Sequence, residues 1–214
     1  MYKFIKPQHN ALEELKNINS KKHIGSIVIS DSVILTIPFG ESDGENIYNL
    51  KELCIAIKKI QSTLIKKNIW LRGAVSCGDT YFNKFRNQIV GSAYIDAYLL
   101  EENVAKYPRV ILDNRLIKEL KCRNANEVIQ IVNGQDKVLY IWDNAFNGDV
   151  IFEKDLPLFI DYLTVEQNSF EEIIELIEDN ARQNISLYSK FKWISKYLIT
   201  KTTDRNIINR LHEI

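Results

Sequence analysis

The chain has few cysteines, no long apolar run and no excess of charge of either sign. Its three cysteines are scattered along 214 residues, at Cys54, Cys77 and Cys122. Scattered cysteines in an odd number are typical of reduced thiols rather than of a disulfide framework. The first ten residues, MYKFIKPQHN, lack the continuous apolar core that a signal peptide needs. We therefore expect a cytoplasmic protein.

The composition favours neither a membrane span nor a surface for nucleic acid. The sequence contains no run of about 18 apolar residues, which a spanning helix would need. Lysine plus arginine number 28 and aspartate plus glutamate also number 28, so the formal net charge is zero. A neutral chain has no general electrostatic reason to bind nucleic acid or an anionic membrane. A neutral net charge is still compatible with a small local basic site for a nucleotide.

Several common catalytic motifs are missing as well. The three histidines are far apart, and neither His-Glu-x-x-His nor Cys-x-x-Cys occurs, which removes the usual zinc patterns. No Gly-x-Ser-x-Gly elbow is present. Gly73 and Gly78 have the glycine spacing of a P-loop, but Asp79-Thr80 stands where the phosphate-binding Lys-Ser/Thr must be.

The chain does have a hydrophobic fraction of 45 %, which is enough for a packed core. Its clearest local pattern lies between residues 24 and 39, where two β-branched runs flank Ser30-Asp31. This pattern predicts a buried β-hairpin with Asp31 at its tip. A carboxylate in a buried tip is costly unless a metal ion or a cation pairs with it. The alternative is that Asp31 is simply a turn former.

The remaining patterns alternate between helices and strands. Apolar residues at helical spacing predict helices over residues 8–20, 45–68, 92–104, 114–122, 170–177 and 186–199, the last continued by 205–211. Apolar and β-branched runs predict strands over 69–77, 80–82 as its hairpin partner, 109–113, 128–132 and 138–142. This mixed order predicts an α+β fold in which helices cover an antiparallel sheet. The C-terminal helices would form an added layer or a dimer element.

Four segments, read in order, resemble the domain of class III nucleotidyl cyclases. They are SIVISDSVIL, LRGAVSCGD, IVGSAYIDAYLLE and YPRVILD, and they span residues 26–113. The resemblance is greatest to the bacterial cyclases of the Pycsar antiphage systems, which make cyclic pyrimidine mononucleotides. The helix around YSKFKWISKY is also similar to the C-terminal segment of that family.

The resemblance implies a ferredoxin-like, cyclase-type sheet in residues 1–155 and a C-terminal helical extension in residues 156–214. It implies an enzyme that uses Mg²⁺ or Mn²⁺ to convert a pyrimidine nucleoside triphosphate into cCMP or cUMP as a signal in antiphage defence. Such enzymes act as homodimers with sites between the subunits. A separate effector protein would bind the cyclic nucleotide.

The resemblance also assigns roles to individual residues. Asp31 matches a metal-binding aspartate at the hairpin tip, and Ile27 and Gln88 stand at positions that read the base in purine cyclases. The implied catalytic residues are Asp96, Tyr98 and Arg72. The implied substrate contacts are Ile27, Ser32, Lys84 and Gln88, with Arg86 and Arg109 as further phosphate candidates. The alternative for Arg72, Lys84, Arg86 and Arg109 is that each is a solvated surface residue without a function in binding.

The chain departs from the family pattern at important positions. The family carries a first metal-binding aspartate on an opening strand, and MYKFIKPQHN contains no aspartate. The asparagine and arginine that stabilise the transition state in many members correspond to Ile95 and Leu99. Three hypotheses remain: an active pyrimidine cyclase, a non-catalytic nucleotide-binding or protein-interaction module with the same fold, or a shortened form of a longer enzyme.

Overall fold

The computed structural model describes residues 24–29, 31–141, 158–163, 170–183 and 185–214. The helix predicted over residues 8–20 lies outside these ranges. Within them the chain forms seven helices and eight strands, so the predicted α+β class is confirmed. None of these helices is long and apolar enough to cross a membrane.

The helices and strands follow each other in mixed order. The helices are α1 (Asp43–Ile65), α2 (Ser92–Asn103), α3 (Arg115–Glu119), α4 (Ala125–Asn133), α5 (Phe170–Gln183), α6 (Ile185–Ile199) and α7 (Arg205–His212). The strands are β1 (Gly25–Ile29), β2 (Ser32–Thr36), β3 (Gly73–Val75), β4 (Thr80–Asn83), β5 (Gln88–Gly91), β6 (Val110–Leu112), β7 (Leu139–Ile141) and β8 (Leu158–Ile160).

Four of the strands form the central sheet, in the order β3-β6-β8-β7. Strand β3 runs parallel to β6, whereas β8 is antiparallel to both β6 and β7. A parallel pair needs a crossover connection, and here β4, β5 and α2 supply it. The carboxyl ends of β3 and β6 consequently lie at the same edge of the sheet.

The predicted hairpin is confirmed, but its tip is not buried. Strands β1 and β2 pair with Ile29 opposite Ser32, which leaves Asp31 in the connecting turn. Ile27 is 2 % exposed, whereas Asp31 and Ser32 are exposed to solvent. A solvated carboxylate carries no burial cost, so Asp31 does not require a metal ion or a cation as its partner in this conformation.

The strand predicted over residues 128–132 is wrong, because these residues belong to helix α4. Val128 and Val132 are both fully buried, and their spacing of four places them on one face of a helix. The Asn124 side chain accepts a hydrogen bond from Glu127 N, and the Glu127 carboxylate accepts one from Arg123 N. This reciprocal capping starts a helix where β-branched composition alone suggests a strand.

Two smaller expectations are also corrected. The sequence predicts one strand over residues 69–77, paired with residues 80–82. Only Gly73–Val75 is a strand in that range, and β4 pairs instead with β5, with Thr80 opposite Gly91. The last helix does not continue α6, because Asp204 caps a new helix by accepting from Asn206 N and Ile207 N.

The core lies on both faces of the central sheet. On one face, Ile111 and Phe159 pack against the C-terminal helices through Trp193, Ile194 and Tyr197. On the other face, alternate strand residues pack against α1 and α4, with Leu112, Leu139, Leu158, Ile160, Leu53 and Val128 in one cluster. Residues 158–160 therefore belong to the same sheet as residues 73–75 and 110–112. The division into 1–155 and 156–214 stays a prediction.

A buried ion pair attaches α6 and the turn after it to the end of β8. The Asp161 side chain is 3 % exposed, and Lys201 Nζ lies 2.8 Å from its carboxylate. The Tyr197 hydroxyl donates to the same carboxylate. Lys201 Nζ also lies 3.9 Å from the centre of the Tyr140 ring, so the ammonium is held between a carboxylate and an aromatic face.

We expect Lys201→Met to lower the free energy of unfolding by about 3 kcal/mol, because it leaves the buried Asp161 carboxylate without its cation. Urea unfolding at pH 7 measures the change. Lys192→Met is the matched control, since Lys192 is exposed on α6 and lies over the Tyr188 ring. We expect the control to stay within about 0.5 kcal/mol of the wild type. Equal losses in the two variants would contradict a special role for the buried pair.

Candidate functional site

Polar side chains meet at the edge of the sheet where β3 and β6 end. Ser76 follows β3 and Asp113 follows β6, and the Ser76 hydroxyl donates to Asp113 Oδ2 at 2.7 Å. These residues are 37 positions apart in the chain. The parallel pairing of Val75 with Leu112 brings them together. Ligand sites in sheets with parallel strands often lie beyond the carboxyl ends of those strands, so this edge is the candidate site.

Arg115 joins this edge of the sheet to helix α2. Its guanidinium donates to Asp113 Oδ2 through Nε at 2.8 Å and to the Ser76 hydroxyl at 2.9 Å. Its third nitrogen lies 2.7 Å from Asp96 Oδ2 on α2. One cation therefore bridges two carboxylates from different elements. Such charge-assisted hydrogen bonds are stronger than neutral ones and restrict the geometry of both partners.

The contacts of Asp113 favour its ionised form. Burial alone would raise the pKa of the Asp113 carboxyl, but hydrogen bonds from Arg115 and Ser76, together with the charge of Arg115, lower it overall. The neighbouring Cys77 responds in the opposite direction. Burial, reinforced by the charge of Asp113, raises the pKa of the Cys77 thiol to about 11. Cys77 is therefore protonated at neutral pH and is a weak nucleophile.

Helix α2 starts at a glycine that no other residue can easily replace. Gly91 has a φ of 148°, and a Cβ added to it would lie 2.2 Å from the carbonyl oxygen of Asp79. The backbone after Gly78 approaches the helix start this closely because β4 pairs directly with β5.

The residues assigned from the sequence lie on three elements of the fold. Asp31, Ser32 and Ile27 lie on the β1–β2 hairpin. Asp96 and Tyr98 lie on α2, where Tyr98 is exposed and Asp96 meets Arg115. Lys84 and Gln88 are exposed on the β4–β5 hairpin.

Of the three arginine candidates, Arg86 is exposed on the β4–β5 hairpin, whereas Arg72 and Arg109 contact other residues of the protein. Arg72 Nε lies 2.5 Å from Glu101 on α2, and its guanidinium also donates to the Ala105 carbonyl. Arg109 is buried, and its guanidinium lies 5.0 Å from the Phe159 ring centre and 5.1 Å from that of Trp193. In this conformation, Arg109 acts within the core and does not present its charge to a phosphate.

The donor groups that the structure brings together do not make up a complete metal site. Among the described residues, no three His, Cys, Asp or Glu side chains are placed to hold a metal ion. Magnesium commonly uses one or two carboxylates together with substrate phosphates and water. The exposed Asp31 fits that kind of shared coordination, but it does not form a metal centre by itself.

Sequence reasoning misses Ser76, Asp113 and Arg115. Asp113 stands at the end of a predicted strand. A polar residue at a strand end indicates a site only when the neighbouring strand is known. Arg115 lies two residues later, in a predicted short helix. The contact across 37 residues depends on the parallel register of β3 with β6, which local patterns do not specify.

Comparisons with protein families, with curated proteins and with solved structures gave no match for this chain.

We expect Gly91→Ala to lower the free energy of unfolding by about 2 kcal/mol or more. The added Cβ would strain the positive φ and collide with the Asp79 carbonyl. Gly44→Ala is the matched control, because a Cβ at Gly44 in the first turn of α1 meets nothing within 4 Å. We expect the control to be neutral or stabilising by about 0.5–1 kcal/mol. Thermal or urea unfolding of the two variants would reveal any other ranking.

We expect Arg115→Gln to lower the free energy of unfolding by about 1–2 kcal/mol at pH 7, because Asp113 and Asp96 lose their common cation. The pKa of Asp113 in the folded protein lies below its ordinary value of 3.8. Its stabilising contribution is therefore present above that value and is lost as the pH falls through the folded pKa.

Urea unfolding between about pH 7 and pH 3 tests this dependence. The difference between wild type and Arg115→Gln should shrink at the acid end, and Asp113→Asn should remove part of the acid destabilisation. Arg123→Gln is the control, since Arg123 is exposed and its backbone N–H makes the contact to Glu127. A difference that does not change with pH would contradict the assignment.

Proposed function

We propose that the chain is a metal-dependent nucleotidyl cyclase that makes cCMP or cUMP from the pyrimidine triphosphate. The observation that carries the proposal is the exposed Asp31 at the tip of the β1–β2 hairpin. The order of the next elements supports it, since the hairpin precedes helix α1, strand β3 and then helix α2, which starts at Gly91. The hairpin, β3 and α2 correspond in this order to the first three segments that carry the resemblance to class III cyclases.

The reaction closes a ring on the α-phosphorus. The ribose 3′-oxygen forms a new bond to that phosphorus, the bond to pyrophosphate breaks, and the 3′-hydroxyl loses its proton to solvent water. Catalysis consists mainly of positioning and of stabilising the developing negative charge. Asp31 would hold Mg²⁺ or Mn²⁺ together with the substrate phosphates. The bound metal would supply charge stabilisation at the reacting phosphate.

The other residues would position the substrate. Lys84 and Arg86 are exposed cations on the β4–β5 hairpin, where their side chains are accessible to a triphosphate. Asp96 would meet the ribose or base only with Arg115 beside it, because the two lie 2.7 Å apart. Arg72 would act by holding α2 through Glu101.

The resemblance also implies a cellular context. The enzyme would be a cytoplasmic homodimer with its sites between subunits. Its cyclic nucleotide would act on a separate effector protein in antiphage defence.

A second candidate function is a cyclase-fold module that binds a nucleotide or a protein without catalysis. The observation that favours it is the lack of a complete metal-binding group. Within the ranges that the structure describes, no three His, Cys, Asp or Glu side chains are placed to hold a metal ion. Two-metal chemistry needs carboxylates that can hold both ions.

A turnover assay with the four nucleoside triphosphates and Mn²⁺ distinguishes the two functions. The cyclase proposal predicts a cyclic pyrimidine product in the wild type and at least about a hundredfold loss in Asp31→Ala, because charge stabilisation by the metal is removed. Asp179→Ala is the matched control, since Asp179 is an exposed aspartate on the remote helix α5.

Absence of product from all four triphosphates would overturn the cyclase proposal. Calorimetric binding of a triphosphate without turnover would then support the non-catalytic module. Equal activity in Asp31→Ala and Asp179→Ala would reject the role of Asp31 while leaving the reaction itself established.

A further inference from the structure

An open cleft lies where helix α3 ends and helix α4 begins. Its volume is about 710 Å³, and it is lined by residues 114, 117–118 and 121–125. Sites for small molecules commonly have volumes of about 300–1,000 Å³, so the cleft is large enough for a small ligand. None of the residues assigned to the cyclase reaction lines it.

The cleft is basic although the chain as a whole is neutral. The segment 115–123 contains four basic residues and one acidic residue. Three of those cations, Lys118, Lys121 and Arg123, line the cleft and are exposed to solvent. Among the described residues that line it, none is acidic. Clustered cations in a concave site raise the local concentration of anions, so the ligand that this cleft favours is an anion.

Two of the three cations are available to a ligand. Within the described ranges, no ion pair joins Lys118 or Arg123 to an acidic side chain. The Glu127 carboxylate does lie nearby, but it accepts a hydrogen bond from the backbone N–H of Arg123 at 2.7 Å. Glu127 therefore reduces the positive potential of the cleft and leaves the Arg123 guanidinium able to bind a ligand.

The third cation, Lys121, is held in an exposed ion pair. Its Nζ lies 2.7 Å from Asp43 Oδ2, and the two side chains are 72 % and 55 % exposed. A pair this exposed contributes little to stability, so an anionic ligand can compete with Asp43 for the ammonium. The backbone of Lys121 has a φ of 55°, in the left-handed region that glycine and asparagine adopt more readily than lysine. A lysine is thus less favourable here for the fold, while it supplies a charge to the cleft.

An amide and an apolar wall complete the lining. The Asn124 side chain accepts a hydrogen bond from Glu127 N through Oδ1, which leaves its NH₂ group able to donate. Ile117 and Ala125 are half-buried and line the cleft beside the cations. Cationic and N–H donors together suit an anion with several acceptor oxygens. A phosphate group has up to two negative charges and three such oxygens, so it fits this donor set.

We propose that this cleft binds a phosphate group, either of inorganic phosphate or of a nucleotide. The inference goes beyond the proposed function, because the cleft contains none of the residues assigned to the cyclase reaction. Lys118 and Arg123 bind the phosphate oxygens, and Lys121 exchanges Asp43 for the ligand. Ile117 and Ala125 provide apolar surface for the rest of a nucleotide.

Isothermal titration calorimetry in EDTA, with inorganic phosphate and with CTP, tests the cleft without metal and without turnover. We expect at least one of the two to bind with a Kd below about 1 mM. Tighter binding of CTP identifies a nucleotide as the ligand, and equal affinities identify the phosphate group alone.

The double variant Lys118→Ala/Arg123→Ala should weaken this binding at least about tenfold, because it removes both available cations. Lys66→Ala/Arg182→Ala is the matched control, since it removes the same two residue types at exposed positions outside the cleft. We expect the control to bind like the wild type. Unchanged circular dichroism in both double variants shows that each one folds.

Two further measurements locate the ligand. Cys122 lines the cleft and is half-buried, whereas Cys54 and Cys77 are buried. The bound ligand should therefore slow the labelling of Cys122 by iodoacetamide at least about threefold, as measured by peptide mass spectrometry. Lys121→Asn should weaken binding about threefold while its urea midpoint stays at or above that of the wild type, because asparagine suits the left-handed backbone.

Absence of binding by both compounds up to about 10 mM would overturn the inference. Full binding by Lys118→Ala/Arg123→Ala, or no protection of Cys122, would reject the cleft as the place where the phosphate binds. None of these measurements involves a metal or a reaction, so the turnover assay supports or rejects the cyclase proposal independently.

Discussion

The parallel pairing of β3 with β6 is the constraint on which the candidate site depends. It aligns Val75 with Leu112, so Ser76 and Asp113 leave the sheet at the same edge. It also requires a crossover, and that crossover is the segment that contains the β4–β5 hairpin and α2. Arg115 then connects Asp113 to Asp96 across this edge. A short ladder of three residue pairs thereby positions most of the polar groups of the candidate site.

The C-terminal helices contribute to the same core as the sheet. Phe159 of β8 packs against Trp193 and Tyr197 of α6, with ring centres 5.7 Å and 5.1 Å apart. The buried pair of Asp161 with Lys201 fixes the turn after α6 to the end of β8. A charge in this position is costly when it is unpaired, so the pair favours one arrangement of helix and strand. The aromatic layer covers the face of the sheet opposite α1 and α4.

The acidic side chains of α2 are paired within the subunit, whereas part of its apolar surface faces solvent. Asp96 is engaged with Arg115 and Glu101 with Arg72, so these two acids of the helix are electrostatically satisfied. Its apolar residues face outward instead, at Ile95, Tyr98 and Leu99. An apolar surface of this kind suits packing more than it suits polar contacts.

Local patterns in the sequence determined the hairpin with Asp31 in its turn, the amphipathic helix α1, the helix after Gly91 and the α+β class. These features depend on residues that are close in the chain, through turn chemistry and helical spacing. The β-branched composition of residues 128–132 predicted a strand, and this prediction was wrong. Capping by Asn124 and Glu127 and the burial of Val128 and Val132 stabilise a helix there.

Only the tertiary structure decided which distant residues meet. The contacts of Ser76 with Asp113, of Asp96 with Arg115 and of Asp161 with Lys201 each join residues that are 19 or more positions apart. Strand register and helix packing set these contacts. An aspartate takes part in all three, so the residue type alone does not identify its partner. The tertiary structure also decided which side chains are exposed. Asp31 is solvated because the turn of its hairpin lies at the surface of the fold.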